Sequence, residues 1–273
     1  MSDIERIQSF LRENARRLYN SVATPPFTLF FHPDEGFKYF NYAIPDEPVE
    51  GDLREPLERL RSEFRRRGRL PRFEFIEAFA PQLPAILRQQ GFVEEARQWS
   101  MLCSHQAYRT SPVVPDLQIL TLSPDSPDTD VCDFLTTQRA GFGDENQAQP
   151  TPQEIQSTRD SFKRGWTAFL GRLDGQPAGV AGYSNIIDGV CEVGGVATLV
   201  AYRRRGIASF LTARAVEAAF ERGADTICLT AEDERAGRVY ERIGFKPFSI
   251  MLAYSIMLAY SDPDESQPAG TQL

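Results

Sequence analysis

Apolar residues recur at helical spacing in residues 3–20, at Ile4, Ile7, Leu11, Ala15 and Leu18, and predict an amphipathic helix. Two aromatic-rich strands follow, Phe27–Phe31 and Phe37–Ile44, parted by the turn residues Pro33-Asp34-Glu35-Gly36. Asp52 then stands where it can cap a helix running to about Arg67, with Leu53, Leu57, Leu60 and Phe64 as its apolar stripe. A strand over 72–77 and a helix over about 81–90 end at Gly91-Phe92.

Pro112-Val113-Val114-Pro115 reads as a junction. Beyond it the pattern predicts a strand over 117–121, a helix around 129–140, a polar loop over 143–152 and a helix near 153–163. A strand over 166–173 meets Asp174-Gly175, a tight hairpin signal, and returns over 177–183. A third strand, about 190–199, precedes an amphipathic helix that begins near Ile207. A strand over 226–230, a helix over 235–243 and an apolar run over 248–260 complete the pattern, and 262–273 reads as a disordered tail.

Two internal repeats stand out. Ser249-Ile250-Met251-Leu252-Ala253-Tyr254 recurs at once as Ser255-Ile256-Met257-Leu258-Ala259-Tyr260, and a six-residue step preserves the face of every strand residue. One copy is expected to complete a sheet. More distantly, the stretch from Phe73 to Phe92 lines up with that from Thr226 to Phe245 at a constant offset (244 − 91 = 153). The N-terminal region therefore reads as a partial, diverged copy of one supersecondary unit. It has Leu87 where the second copy has Tyr240, and only Gly51-Asp52-Leu53 before its long helix.

Composition narrows the class. With 41% hydrophobic and 25% charged residues, the 273-residue chain has the make-up of a globular protein of about two domains. A net charge of −8 argues against a general nucleic-acid binder. Four cysteines without C-x-x-C spacing and two histidines predict no metal site and no disulfide framework, and fit a reducing cytoplasm. No apolar run is long enough to cross a membrane, the N-terminal residues do not resemble a signal peptide, and no phosphate-loop motif of NTPases occurs. Arg65-Arg66-Arg67-Gly68-Arg69 reads as a solvated helix end, and adjacent Ser104 and His105 lack a third triad member.

The chemistry centres on Arg203-Arg204-Arg205-Gly206-Ile207-Ala208-Ser209, where a strand gives way to a helix. Small residues at Gly206 and Ala208 let the backbone turn tightly. The first N–H groups of the helix lack internal partners and sit at the positive end of its dipole. These residues make either an anion cradle suited to a pyrophosphate or a surface turn with three solvated arginines.

Arg203, Gly206 and Ala208 form an R-x-x-G-x-A turn, followed in order by Ala236-Gly237-Arg238-Val239-Tyr240-Glu241-Arg242-Ile243-Gly244-Phe245. This ordered pair resembles the GNAT superfamily of CoA-dependent N-acyltransferases, over roughly 112–260. The resemblance implies a mixed, mostly antiparallel α/β sheet flanked by helices, in tandem with the diverged copy. The implied domains are 1–111, 112–261 and the tail.

By the same resemblance, the pantetheine arm of acetyl-CoA lies along Val196, Ala197 and Thr198 between splayed strands, and N–H groups of Arg204 through Ser209 hold the pyrophosphate. A backbone N–H near Val196–Ala197 serves the oxyanion, Glu192 is the general base and Tyr240 the general acid. Asp233 stands where many members have an Asn that contacts the pantetheine, and an ionised Asp cannot donate. Cys228 stands where some relatives carry a second base. Strand alternation puts Glu192, Gly194, Val196 and Thr198 on one face, so that Glu192 looks along the cofactor groove. The expected function is acetyl transfer from acetyl-CoA to a primary amine, on a small molecule or a peptide, by a cytoplasmic enzyme that can form a homodimer and engages no membrane. The alternative is a non-catalytic CoA-binding or structural tandem module.

Overall fold

The computed structural model describes residues 2–33, 40–143 and 149–256. The chain begins with α1 (Asp3–Leu18), capped by reciprocal hydrogen bonds between Ser2 and Glu5. Strands β1 (Asn20–Thr24), β2 (Phe27–Phe31) and β3 (Asn41–Pro45) follow, then α2 (Arg54–Arg66), β4 (Arg72–Ile76), α3 (Leu83–Gln89) and β5 (Phe92–Ser104). The second half holds β6 (Leu117–Leu122), α4 (Asp128–Gly141), α5 (Pro152–Lys163), β7 (Thr167–Leu173), β8 (Gln176–Tyr183) and β9 (Val190–Thr198). It closes with α6 (Ile207–Glu221), β10 (Thr226–Ala231), α7 (Glu234–Glu241) and β11 (Lys246–Ile256).

Eleven strands form one sheet in the order β1-β2-β3-β4-β11-β5-β10-β9-β8-β7-β6. Pairings are antiparallel except β3 with β4 and β9 with β10, so the expected mixed, mostly antiparallel sheet is present. The predicted Asp174-Gly175 hairpin is present as well, with positive φ at both residues (52° and 76°).

The offset of 153 reaches further than the sequence repeat. It carries the start of α2 onto the start of α6 (207 − 54 = 153) and places β3 and β4 where the second half has β9 and β10. The first copy thus reaches beyond the sequence repeat and stays partial, with no counterpart of β6 and α4 among the described residues.

The copies have traded their last strands. β4 neighbours β11 from the second half, whereas β10 neighbours β5 from the first, and β5 and β11 pair along nearly their full lengths. The sheet's hydrogen bonding therefore crosses the division at 111/112.

Several local expectations are corrected. The first helix stops at Leu18, and β1 follows unforeseen because Asn20–Thr24 is mostly exposed and carries no apolar alternation. Asp52 does not cap α2; Leu53 occupies that position, and the Asp52 carboxylate is paired with Arg54. Of the strand expected over 37–44, residues 37–39 lie outside the described residues, as do 144–148 of the loop over 143–152, 257–260 of the second Ser-Ile-Met-Leu-Ala-Tyr copy and the tail. The first copy of that hexapeptide, Ser249–Tyr254, completes the sheet within β11. Arg66 and Arg67 both pair with Glu63, and Arg67 also lies over the Phe31 ring, in keeping with a solvated helix end. His105 is stacked on Phe220.

Candidate active site

β9 and β10 run together for only three rungs, the last joining Glu192 to Cys228. Beyond it, among the described residues, Val193–Thr198 no longer pairs with Leu229–Ala231, and a slot opens between two strands that remain neighbours. The other edge of β9 is irregular at the same level. Its register against β8 slips by one residue between Gly182↔Gly194 and Val180↔Ala197, around Gly195 at φ 63°.

This bulge corrects the expected alternation. Gly182 and Val180 share a face of β8, so Glu192, Gly194 and Ala197 share a face of β9, with Thr198 on the other. Glu192 does not look along the same side as Thr198.

From Thr198 the chain passes Leu199 and a single 3-10 turn, Val200–Tyr202. Arg203 pins this corner, donating from Nε to the Thr198 carbonyl (3.1 Å) and from a terminal nitrogen to the Gly141 carbonyl (2.9 Å) at the end of α4. Arg204 takes φ 65°, and Gly206, at φ 81°, stands at the N-cap of α6 without a side-chain cap. An L side chain is strained there, so glycine lets the backbone enter the helix with its first N–H groups facing outward. The Arg205 guanidinium lies 5.5 Å from the centroid of the Tyr202 ring.

These elements and α7 enclose a cleft of about 620 Å³. Val196, Ala197, Thr198, Arg203 and Arg204 line one wall, continued by Gly206, Ile207, Ala208 and Ser209, and Asp233 and Tyr240 line the wall opposite. Of the residues singled out from the sequence, Arg205 and Glu192 stand outside this lining. Asp233 is engaged by its own helix, accepting from the Ala236 N–H at 2.7 Å. Among the described residues Thr198 Oγ1 is buried without a hydrogen-bond partner, which marks the slot as a place where a polar ligand group would be met.

Tyr240 is half-buried and packs edge-on against Phe245, with ring centroids 6.1 Å apart. Burial, then the Glu232 charge, pushes its hydroxyl up to about 12. Glu192 sits at the apex of the slot; no hydrogen bond or ion pair to its carboxylate is found among the described residues. Burial, then the charge of Glu74, raises it from 4.5 to about 7. Burial also raises the Cys191 thiol, to about 12, and Cys228.

Sequence reasoning missed the basic wall. Arg235, Arg238 and Arg242 all line the cleft from α7 and its C-cap. Their i, i+3, i+7 spacing is a signal that was available. Arg238 is paired with Glu234.

The corresponding place in the first copy is filled. The Gln8 amide spans the gap between β3 and β4, donating to the Pro45 carbonyl (3.4 Å) and accepting from the Ile76 N–H (3.1 Å). Among the described residues these strands share the single rung Ala43↔Phe73. Leu87, at the position of Tyr240, is fully buried.

The parted parallel pair and the uncapped, glycine-led start of α6 together frame one cleft, and comparison with known proteins supplies the class of fold. Residues 132–245 match the acetyltransferase (GNAT) family model, and this part of the chain is a GNAT domain. A GCN5-related N-acetyltransferase from Kribbella flavida is similar across the whole chain, with 27% identity, a TM-score of 0.77, and coverage of 96% of this chain and 98% of that one. Another from Sphaerobacter thermophilus is 17% identical, with a TM-score of 0.61 and coverage of 85% and 81%. A tandem GNAT protein from the clavulanic acid biosynthesis pathway is 14% identical, with a TM-score of 0.60 and coverage of 93% and 87%. At these identities the last two show a shared fold. No curated protein sequence matches the chain.

Proposed function

We propose that the chain is an acetyltransferase that moves the acetyl group of acetyl-CoA to a primary amine at the apex of the β9–β10 slot. The observation that carries this reading is the parting of the two strands immediately past Glu192↔Cys228, beside the uncapped start of α6 and facing Tyr240. The residues fit the donor: an unpaired strand edge and the orphan Thr198 Oγ1 suit an amide-rich arm, and the N–H groups of Arg204 through Ser209 suit a pyrophosphate. Arg203 holds the corner rather than the phosphate, while Arg235 and Arg242 add positive charge across the cleft. When bound, the donor supplies an acetyl group activated as a thioester.

Glu192 acts as the base. A primary amine near pKa 10.4 is almost wholly protonated at neutral pH and must lose a proton before it can attack. A carboxylate at about 7 is better matched to that task than one at 4.5.

Tyr240 supplies a hydrogen bond where the thiolate leaves. Full proton transfer from a phenol at about 12 to a thiolate near 8.5 is uphill by about 5 kcal/mol, so its hydroxyl donates without giving up the proton. A backbone N–H at the Gly195 bulge, near Val196–Ala197, is the donor to the carbonyl oxygen.

The first copy is the non-catalytic partner in this reading, because Gln8 bridges its slot and Leu87 replaces the phenol. The four free cysteines suit the cytoplasm. Release of free CoA thiol across a panel of amines tests the proposal, with calorimetry to measure cofactor binding separately. One or more amines should stimulate release. Binding of one CoA per chain with no stimulation by any amine would turn the reading to a CoA-binding module.

A further inference from the structure

Resting on that reading, we infer that the first copy supplies the acceptor subsite, and that the acceptor is a diamine whose second ammonium group is held by Glu74 while Glu192 receives its reacting end. The sheet register establishes the shared face. Glu192 pairs with Cys228, Cys228 with Leu102, Ser100 with Ser249, and Met251 and Ala253 with Ile76 and Glu74. Residues alternate along each strand, so Glu192 on β9 and Glu74 on β4 stand on the same side of the sheet.

Three strands, β11, β5 and β10, lie between them, yet the charge of each acts on common neighbours. α1 touches β2, β4 and β9, so the strands that carry Glu74 and Glu192 meet one helix. Beyond the end of α1 stand Tyr19 and Tyr42, with ring centroids 5.9 Å apart and tilted edge to face. Trp166 bounds the β9 side: a Cβ on Gly194, next to Glu192 on this face, would come within 3.4 Å of its ring. All five side chains are neither fully buried nor fully exposed, although two of them belong to strands in the middle of the sheet. Each therefore keeps some contact with solvent.

The chemistry of this face is selective. Among the described residues the Glu192 carboxylate has no hydrogen bond or ion pair, and Glu74, with its side chain 32% exposed, is oriented by the Arg72 guanidinium at 2.5 Å. Two carboxylates on one face near Tyr19 and Tyr42, set against Arg72, which pairs Glu74, and Arg164, whose charge acts on Tyr19, favour an organic cation by direct attraction, with the tyrosine rings at hand for cation–π contact. A second ammonium group on the acceptor distinguishes Glu74, which never touches the reacting atoms, from Glu192, which does.

The test compares α,ω-diamines of three to eight carbons with monoamines of matched length on the wild-type protein, by CoA-thiol release. The diamine should be preferred in kcat/KM by about tenfold or more at one chain length, as expected of an added, partly screened ion pair. Glu74→Gln should collapse that preference chiefly through KM, whereas Glu192→Gln should lower kcat for both classes. Direct binding of the preferred diamine to the CoA-loaded protein should weaken in Glu74→Gln and recover in Glu74→Asp, with thermal unfolding as a check that the variants are folded. Equal use of diamines and monoamines by the wild type would overturn the inference while leaving acetyl transfer standing. Inactivity toward every amine would instead overturn the function on which it rests.

Discussion

Glu192 and Cys228 form the last rung between β9 and β10, and the slot opens directly beyond them. A carboxylate at that rung is half-enclosed by the sheet, and burial, with the Glu74 charge added, lifts it to about 7. Its hold on a proton is thus set by its place at a fork in the backbone.

Activity should follow the ionisation of that group. kcat is expected to rise with pH through about 7, and Glu192→Gln should remove this limb and lower kcat by about 100-fold, the lower range for general bases. A pH–rate profile with saturating donor and amine checks this.

Stability should run the opposite way. A carboxyl raised from 4.5 to about 7 binds its proton more tightly in the folded state. Its contribution is present in full below pH 4.5 and is lost as pH rises through 7, by at most about 3 kcal/mol and less for a partly exposed group. Relative to wild type, Glu192→Gln should gain in Tm between pH 5 and pH 8.

Tyr240→Phe should lower kcat about tenfold or more while leaving the CoA Kd nearly unchanged, because the lost hydroxyl serves the departing sulfur and not ground-state binding. An unchanged rate at saturating amine would remove Tyr240 from its role.

Gly206→Val places a β-branched residue at φ 81°, at a cost of about 1–3 kcal/mol. The turn that aims the first N–H groups of α6 would relax, so the CoA Kd should rise by about tenfold or more, measured by calorimetry on folded protein. A Kd equal to wild type would show that the cradle does not hold the pyrophosphate.

Gln8→Leu removes the two hydrogen bonds that bridge β3 and β4, leaving the Ile76 N–H and Pro45 carbonyl without that partner. A loss of about 2–3 kcal/mol is expected in denaturant unfolding. Calorimetry should still find one CoA per chain, because the first copy has no counterpart of the Gly206 turn.

The helical and strand periods of the chain, the 153-residue offset and the ordered Gly206 and Tyr240 motifs made most of the elements and the turn into α6 legible, because these signals are local. Backbone freedom at glycine, the dipole of a helix start and the spacing of an amphipathic face are properties of short segments. What lay beyond reach was set by which strands meet. The exchange of β5 and β11 depends on two strands of similar length choosing each other's copy, and neither carries a mark of its partner. The bulge at Gly195 moved Val196 and Thr198 off the face of Glu192, since one extra residue on one strand reverses every alternation beyond it. The Gln8 bridge and the influence of the Glu74 charge on Glu192, 118 residues away (192 − 74), exist only once the fold gathers distant strands around α1. Charges act through space, and in this chain only the folded sheet decides which carboxylates are neighbours.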